Sequence, residues 1–194
     1  MKLRTSAGFT IVELLVVIVV IAILTSVTVV AFNGVQQRAR AVAVGSAVTS
    51  FAKAAKYYKS DNGKYPIPYA GTVARACLSA DAAQYPAAGS FPAGSCEFEN
   101  PWGSLSSYDA NTMTMLKQYM SSVPQFPITT FENPGYFTSG FTMRGIEYYY
   151  NSTYDTVRLN YMVEGRWCPV GADYYDGTST VSSNNTTRCY YDLK

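Results

Sequence analysis

The sequence predicts an α+β fold: a long N-terminal helix packed on a small antiparallel sheet head with disulfides. Three observations predict it. Aliphatic residues crowd the chain before residue 50, whereas most of the 17 Tyr come after it. Helical periodicity continues beyond the most apolar stretch, and strand-like aromatic segments arrive only near the C-terminus. A long helix, an irregular linker and then strands is an α+β order. At 194 residues the chain holds one globular domain and an appendage, not two full domains. It contains no histidine, which excludes Ser-His-Asp triads, Cys-His pairs and His-containing zinc sites. No cofactor and no metal is expected. No grouping of carboxylates, Ser or Lys suggests an active site, so an enzyme is not the reading.

The helix begins in apolar sequence. From Phe9 to Phe32 there is one charge, Glu13, and Leu14 to Leu24 is uninterruptedly apolar. As a helix this stretch is roughly 36 Å long at about 1.5 Å per residue, enough to cross a hydrocarbon core of about 30 Å. It is apolar on every face, which argues against a soluble amphipathic helix. Lys2 and Arg4 give a basic start, as in a secretory signal, but the run is long and no A-x-A-like site closes it. A plain signal anchor leaves Glu13 unexplained, because a carboxylate in lipid is costly unless it lies near the interface, is protonated or meets a cation.

The segment Ser6-Ala7-Gly8-Phe9-Thr10-Ile11-Val12-Glu13-Leu14-Leu15 resembles the processing site of type IV prepilins and pseudopilins. The resemblance implies a basic leader, residues 1–8, removed by a prepilin peptidase between Gly8 and Phe9. Phe9 is then N-methylated, and Glu13 is the assembly residue. Physical chemistry suits that role: burying the new Phe9 amine and the Glu13 carboxylate separately is expensive, and pairing them between neighbouring subunits removes much of the cost. Glu13 would then set axial registry. Many members carry Gly or Pro in the membrane half; this chain has neither between Phe9 and Asn33, and Thr25-Ser26-Val27-Thr28 is its weakest helical patch.

Beyond Phe32 polarity rises, yet nothing stops the helix before Asn62-Gly63. Ala41, Val44, Val48, Phe51, Ala55 and Tyr58 recur at three- and four-residue steps, the mark of one buried stripe. One helix is expected from about Thr10 to Ser60, with Asn62-Gly63 ending it and Pro66 and Pro68 preventing its resumption. The expected organisation is therefore leader 1–8, membrane and filament-core helix 9–32, amphipathic continuation 33–61 and extracellular head 62–194.

In the head, residues 67–140 read as largely irregular, with a short helix over Thr112–Tyr119. Phe141–Asn151 and Tyr154–Glu164 read as a hairpin, and Thr186–Leu193 as a third strand. The cysteines are Cys77, Cys96, Cys168 and Cys189, none in a C-x-x-C pair, so a zinc ribbon or thioredoxin-like motif is not expected. Three pairings are open. Nearest-neighbour pairing, Cys77–Cys96 and Cys168–Cys189, is preferred; each would close a loop worth about 3 kcal/mol in the chain-entropy model. Disulfides put the head outside the cytoplasm. The second pair also resembles the C-terminal disulfide loop of many pilins.

Other features are discounted. The Tyr148-Tyr149-Tyr150, Tyr174-Tyr175 and Tyr190-Tyr191 tracts read as sheet packing rather than stacking platforms. Without Lys2 and Arg4 the 13 remaining basic side chains match the 13 acidic ones, which argues against broad attraction to nucleic acid and leaves only a local patch open. Asp173 and Asp176 read as a turn rather than a calcium loop.

The resulting reading is a type IV pilin-like structural subunit, with the leader inside the inner or cytoplasmic membrane and the head outside, later drawn into an extracellular pilus for adhesion or motility. By resemblance its partners are other copies of itself, the prepilin peptidase, a membrane platform protein and an assembly ATPase. Within the family the alternatives are a minor pilin or a pseudopilin of secretion or DNA uptake. Outside it the alternative is a single-pass anchored extracellular binding protein.

Overall fold

A computed structural model describes residues 10–68, 73–89, 91–99, 104–133, 141–165, 167–173 and 186–193. The elements are helix α1 (Ile11–Asn62), β1 (Val73–Cys77), a 3-10 turn (Ala82–Gln84), β2 (Ser95–Glu99), β3 (Ser104–Ser107), α2 (Ala110–Lys117), β4 (Thr130–Asn133), β5 (Phe141–Arg144), β6 (Ile146–Asn151), β7 (Thr156–Glu164), β8 (Ala172–Asp173) and β9 (Thr186–Leu193). The chain divides into two units, Met1–Gln37 and Arg38–Lys194.

In the second unit the helical stripe is wider than its spacing predicts. Ala41, Val44, Ala47, Val48, Phe51, Ala52, Ala54 and Ala55 are all buried. Alanine lets a sheet approach the helix closely, and the larger Val48 and Phe51 fill the gaps. The covering sheet is antiparallel, in the order β1-β6-β7-β9-β8. Its pleat sends Tyr148, Tyr150, Val157, Leu159, Tyr161 and Val163 into the same core as the helix stripe and their neighbours to the other face. Tyr148 and Tyr150 thus pack the sheet; Tyr174 and Tyr175 lie outside the described residues. The buried Tyr148 hydroxyl donates to Pro66 O at 2.9 Å.

Helix α1 ends in an αL motif. Gly63 adopts φ 76°, and its N–H donates to Lys59 O at 2.8 Å, satisfying a terminal carbonyl at a backbone angle a side chain disfavours. The β6–β7 turn is tied to this end: Lys59 Nζ lies 2.9 Å from Asp155 Oδ2, and the Tyr65 N–H donates to Asp155 Oδ1 at 3.3 Å.

Two expectations for the head need correction. Residues 67–140 are not an irregular linker: they supply β1 and three strands of a second antiparallel sheet, ordered β3-β2-β5-β4. These strands are four or five residues long, too short for alternation to rise above the Ala/Ser/Gly background. Nor is Phe141–Asn151 one strand. It breaks at Gly145, so that β5 pairs with β2 and β4 while β6 pairs with β1 and β7. Gly145 has φ 67° and a Cβ there would sit 2.5 Å from the Tyr85 ring, so only glycine allows the chain to change sheets at this point. The short helix also begins earlier than expected, because the Asp109 carboxylate accepts from the N–H groups of Asn111 and Thr112.

Next to Gly145, Arg144 is 2% exposed and donates to Ser95 O, Pro86 O and Pro92 O at 2.8, 2.6 and 3.3 Å. Its guanidinium also lies 4.5 Å from the Phe91 ring centroid. This cation fastens the 86–95 segment to the second sheet. Disulfides join Cys77 to Cys96 and Cys168 to Cys189. The first links β1 to β2, hence sheet to sheet, and the second links the 167–171 loop to β9.

Candidate functional site

The sequence singles out the start of α1. Thr10 precedes the first helical residue, and Glu13 stands three residues on. The Glu13 N–H donates to Thr10 Oγ1 at 3.2 Å. In return Glu13 Oε2 accepts from the Thr10 N–H at 2.9 Å and from the Thr10 hydroxyl at 2.8 Å. This is a reciprocal capping box, which satisfies helix N–H groups that have no intrahelical partner. A carboxylate here also complements the positive end of the helix dipole. Both bonds to the carboxylate fall on Oε2, and among the described residues none falls on Oε1.

Following Glu13, the large apolar side chains from Leu14 to Leu24 stand open. Across Ile11–Leu24 their exposure runs from 47% at Val19 to 85% at Ile11. Removing each from water is worth about 1.5–3 kcal/mol, so this face of the chain requires lipid or other helices around it. Further along, the Thr25 hydroxyl donates to Ile21 O at 2.9 Å and the Ser26 hydroxyl to Ile23 O at 2.7 Å. The two polar side chains thereby spend their donors on their own helix. Among the described residues no helix is long and apolar enough to cross a membrane; the side chains of residues 27–31, within the segment expected to do so, lie outside the description.

The other singled-out residues divide clearly. Gly8 and Phe9 lie outside the described residues. The four cysteines lie in the head, remote in sequence from Glu13, and serve its architecture. The residue that sequence reasoning missed is Thr10, although the Thr-x-x-Glu spacing was in view and is a helix-start signal. Among the described residues no group of three or more His, Cys, Asp or Glu could hold a metal ion. The site therefore contains a capped helix end, one carboxylate and an apolar helix surface, a combination suited to association.

Residues 3–29 match the family model described as the prokaryotic N-terminal methylation motif. The chain is similar to type II secretion system core protein G of Klebsiella pneumoniae, at 33% identity over 105 residues, covering 53% of this chain and 73% of that protein. No solved structure matches.

Proposed function

The chain belongs to the type IV pilin-like family, and from that premise we propose that it is a filament subunit that polymerises through α1 after cleavage between Gly8 and Phe9 and methylation of Phe9. Members of this family are structural subunits rather than enzymes, and the methylation motif implies a membrane-anchored precursor and an assembled filament. The observation that carries the proposal is the helix with apolar side chains exposed from Ile11 to Leu24 behind a single carboxylate. In the precursor, lipid covers that surface; in the filament, neighbouring copies of the same helix do. Glu13 then receives the methylated Phe9 amine of an adjacent subunit, which fixes how far each helix slides along the next.

Similarity to core protein G of a secretion system favours a pseudopilin, whose filament serves export machinery rather than the cell surface. A surface pilus is the second reading, supported by a head that carries two disulfides. Either reading brings a prepilin peptidase, a platform protein and an assembly ATPase as partners.

Deleting the gene and complementing it separates the readings. Loss of secretion or uptake with surface fibres intact supports the pseudopilin; loss of surface fibres supports the pilus. An unprocessed chain that never enters filaments, and whose Glu13→Leu variant differs only in insertion, would replace both with an anchored binding protein.

A further inference from the structure

The face of the five-stranded sheet turned away from α1 is polar and concave. A groove of about 460 Å³ crosses β1, β6, β7 and β9, within the size range of small-ligand sites. The strand register builds it in rows. Arg75 pairs with Tyr149, Tyr149 with Arg158 and Arg158 with Asp192; in the next row Glu147 pairs with Asn160. Arg188 completes the lining.

Most of these groups already hold each other. Glu147, fully buried, accepts from the Ser106 hydroxyl at 2.7 Å and from Asn160 Nδ2 at 2.9 Å. Arg158 donates to both Asp192 oxygens at 2.7 and 3.0 Å, the bidentate arrangement that fixes a guanidinium plane. Among the described residues Asn160 Oδ1, on a residue 3% exposed, has no hydrogen-bond partner. A buried acceptor in that state has given up its hydration without a replacement, and a ligand that donates to it recovers the loss. The groove also has a net positive character, with three guanidinium groups and two carboxylates among its lining residues.

The aromatic rings narrow the choice. Arg75 stands 5.2 Å from the Tyr149 ring centroid and Arg158 stands 4.5 Å from that of Tyr190, so the faces on which a nucleobase or a neutral sugar would stack already carry cations. The aliphatic residues of its lining, Val157 and Leu193, are buried in the core, and the Tyr149 ring is covered by Arg75, so the groove offers a protein partner little apolar surface to anchor on. What fits is a ligand recognised by hydrogen bonds and one negative charge, with a hydroxyl to give to Asn160. We propose that this groove binds a hydroxylated anion, specifically an acidic sugar unit of a glycan. The carboxylate meets the guanidinium groups, and a ring hydroxyl donates to Asn160 Oδ1. The groove lies wholly within the Arg38–Lys194 unit, so this inference stands apart from assembly through α1.

The test is calorimetric titration of the full chain in neutral detergent micelles with four probes: trigalacturonate, galactotriose, acetate and triglutamate. The expected result is that trigalacturonate binds at least about tenfold more tightly than any of the others, a difference of about 1.4 kcal/mol. Arg188→Gln, on the groove rim, should weaken it by about tenfold. Asn160→Ala should weaken it as well, and should bring its affinity towards that of acetate. If Asn160→Ala fails to fold, Arg188→Gln with an unchanged melting temperature decides alone. No binding by trigalacturonate, equal binding by galactotriose or acetate, or no effect of Arg188→Gln overturns the proposal. Tighter binding of triglutamate also overturns it, in favour of an acidic peptide partner.

Discussion

Thr10 and Glu13 cap each other across the first turn of α1, with the Glu13 N–H on the Thr10 hydroxyl and the Thr10 N–H on the Glu13 carboxylate. Glu13 therefore has a local task besides any role between subunits, and a substitution that removes the side chain confounds the two. Glutamine separates them, because a capping box accepts Glu or Gln at this position. Glu13→Gln should keep the helix start and lose the charge. Thr10→Ala should cost about 1 kcal/mol of local helix stability and keep the charge. The proposed registry role predicts that Glu13→Gln lowers filament yield at least about tenfold, as loss of an ion pair in an apolar setting implies, while Thr10→Ala assembles. Quantifying sheared filaments from the two strains checks this; the reverse order would make the capping box, not the charge, the assembly determinant.

The Lys59–Asp155 pair gives the head a defined pH response. Burial pushes the Asp155 carboxyl up, but the bonds from Lys59, the Tyr65 amide and the Tyr150 hydroxyl outweigh it and hold the group below its usual 3.8. Lys59 is raised above 10.5, chiefly by its hydrogen bond to Asp155 and against a smaller opposing effect of burial. For the acid, stabilisation is complete above the unfolded-state pKa and is lost as pH falls through the lowered folded value. For the amine, it is complete below the unfolded pKa and is lost as pH rises through the raised value. Stability from this pair is thus level between about pH 4 and about pH 10.5. Both side chains are about one-third exposed, at 33% and 34%, so its size is about 0.5–1 kcal/mol. Asp155→Asn isolates the charge, because Asn tolerates the positive φ of 43° at this position. Urea unfolding at low and neutral pH should show a smaller acid loss in the variant than in the parent.

Arg144 predicts a larger effect. Arg144→Met takes the guanidinium donors from the Ser95 and Pro86 carbonyls, while Pro92 O keeps the Ser95 N–H and hydroxyl, and should cost about 3–5 kcal/mol. For a domain of this size that lowers the melting temperature by roughly 10 °C. Arg144→Lys should not rescue it, since a single ammonium cannot reproduce a planar fork reaching three carbonyls. Full rescue by Lys would mean that charge alone holds the 86–95 segment.

The Cys77–Cys96 bond joins the two sheets covalently, beside the Ser106–Glu147 hydrogen bond and the chain that passes between them at Gly145. Replacing both cysteines with Ser should cost about 3 kcal/mol and loosen the second sheet first. Hydrogen exchange should report faster opening in β2 and β5 than in β7. Uniform opening across both sheets would place the constraint elsewhere.

The fold class was legible because its main signals are strong. A stripe such as Val44, Val48 and Phe51 repeats over several turns, and β7 alternates Val157, Leu159, Tyr161 and Val163 inward across Arg158 and Asn160. The second sheet was hidden because β2 to β5 are short and draw their stability from partners distant in sequence. The change of sheet at Gly145 depends on the Tyr85 ring, sixty residues earlier by number, which no local pattern discloses. At the helix start, Glu13 was legible through its resemblance to a processing motif, and Thr10 was passed over because that same motif already accounted for it. The Asn160 groove needs four strands in register and has no signature in any one segment.

The proposed processing between Gly8 and Phe9 would underlie every step from membrane precursor to filament. Intact-mass and N-terminal analysis of the protein from its native cells tests it most directly. The predicted result is a mature chain that begins at Phe9 and is heavier by one methyl group. A chain that retains Met1 to Gly8, in cells whose prepilin peptidase is active, would contradict assembly through a processed helix.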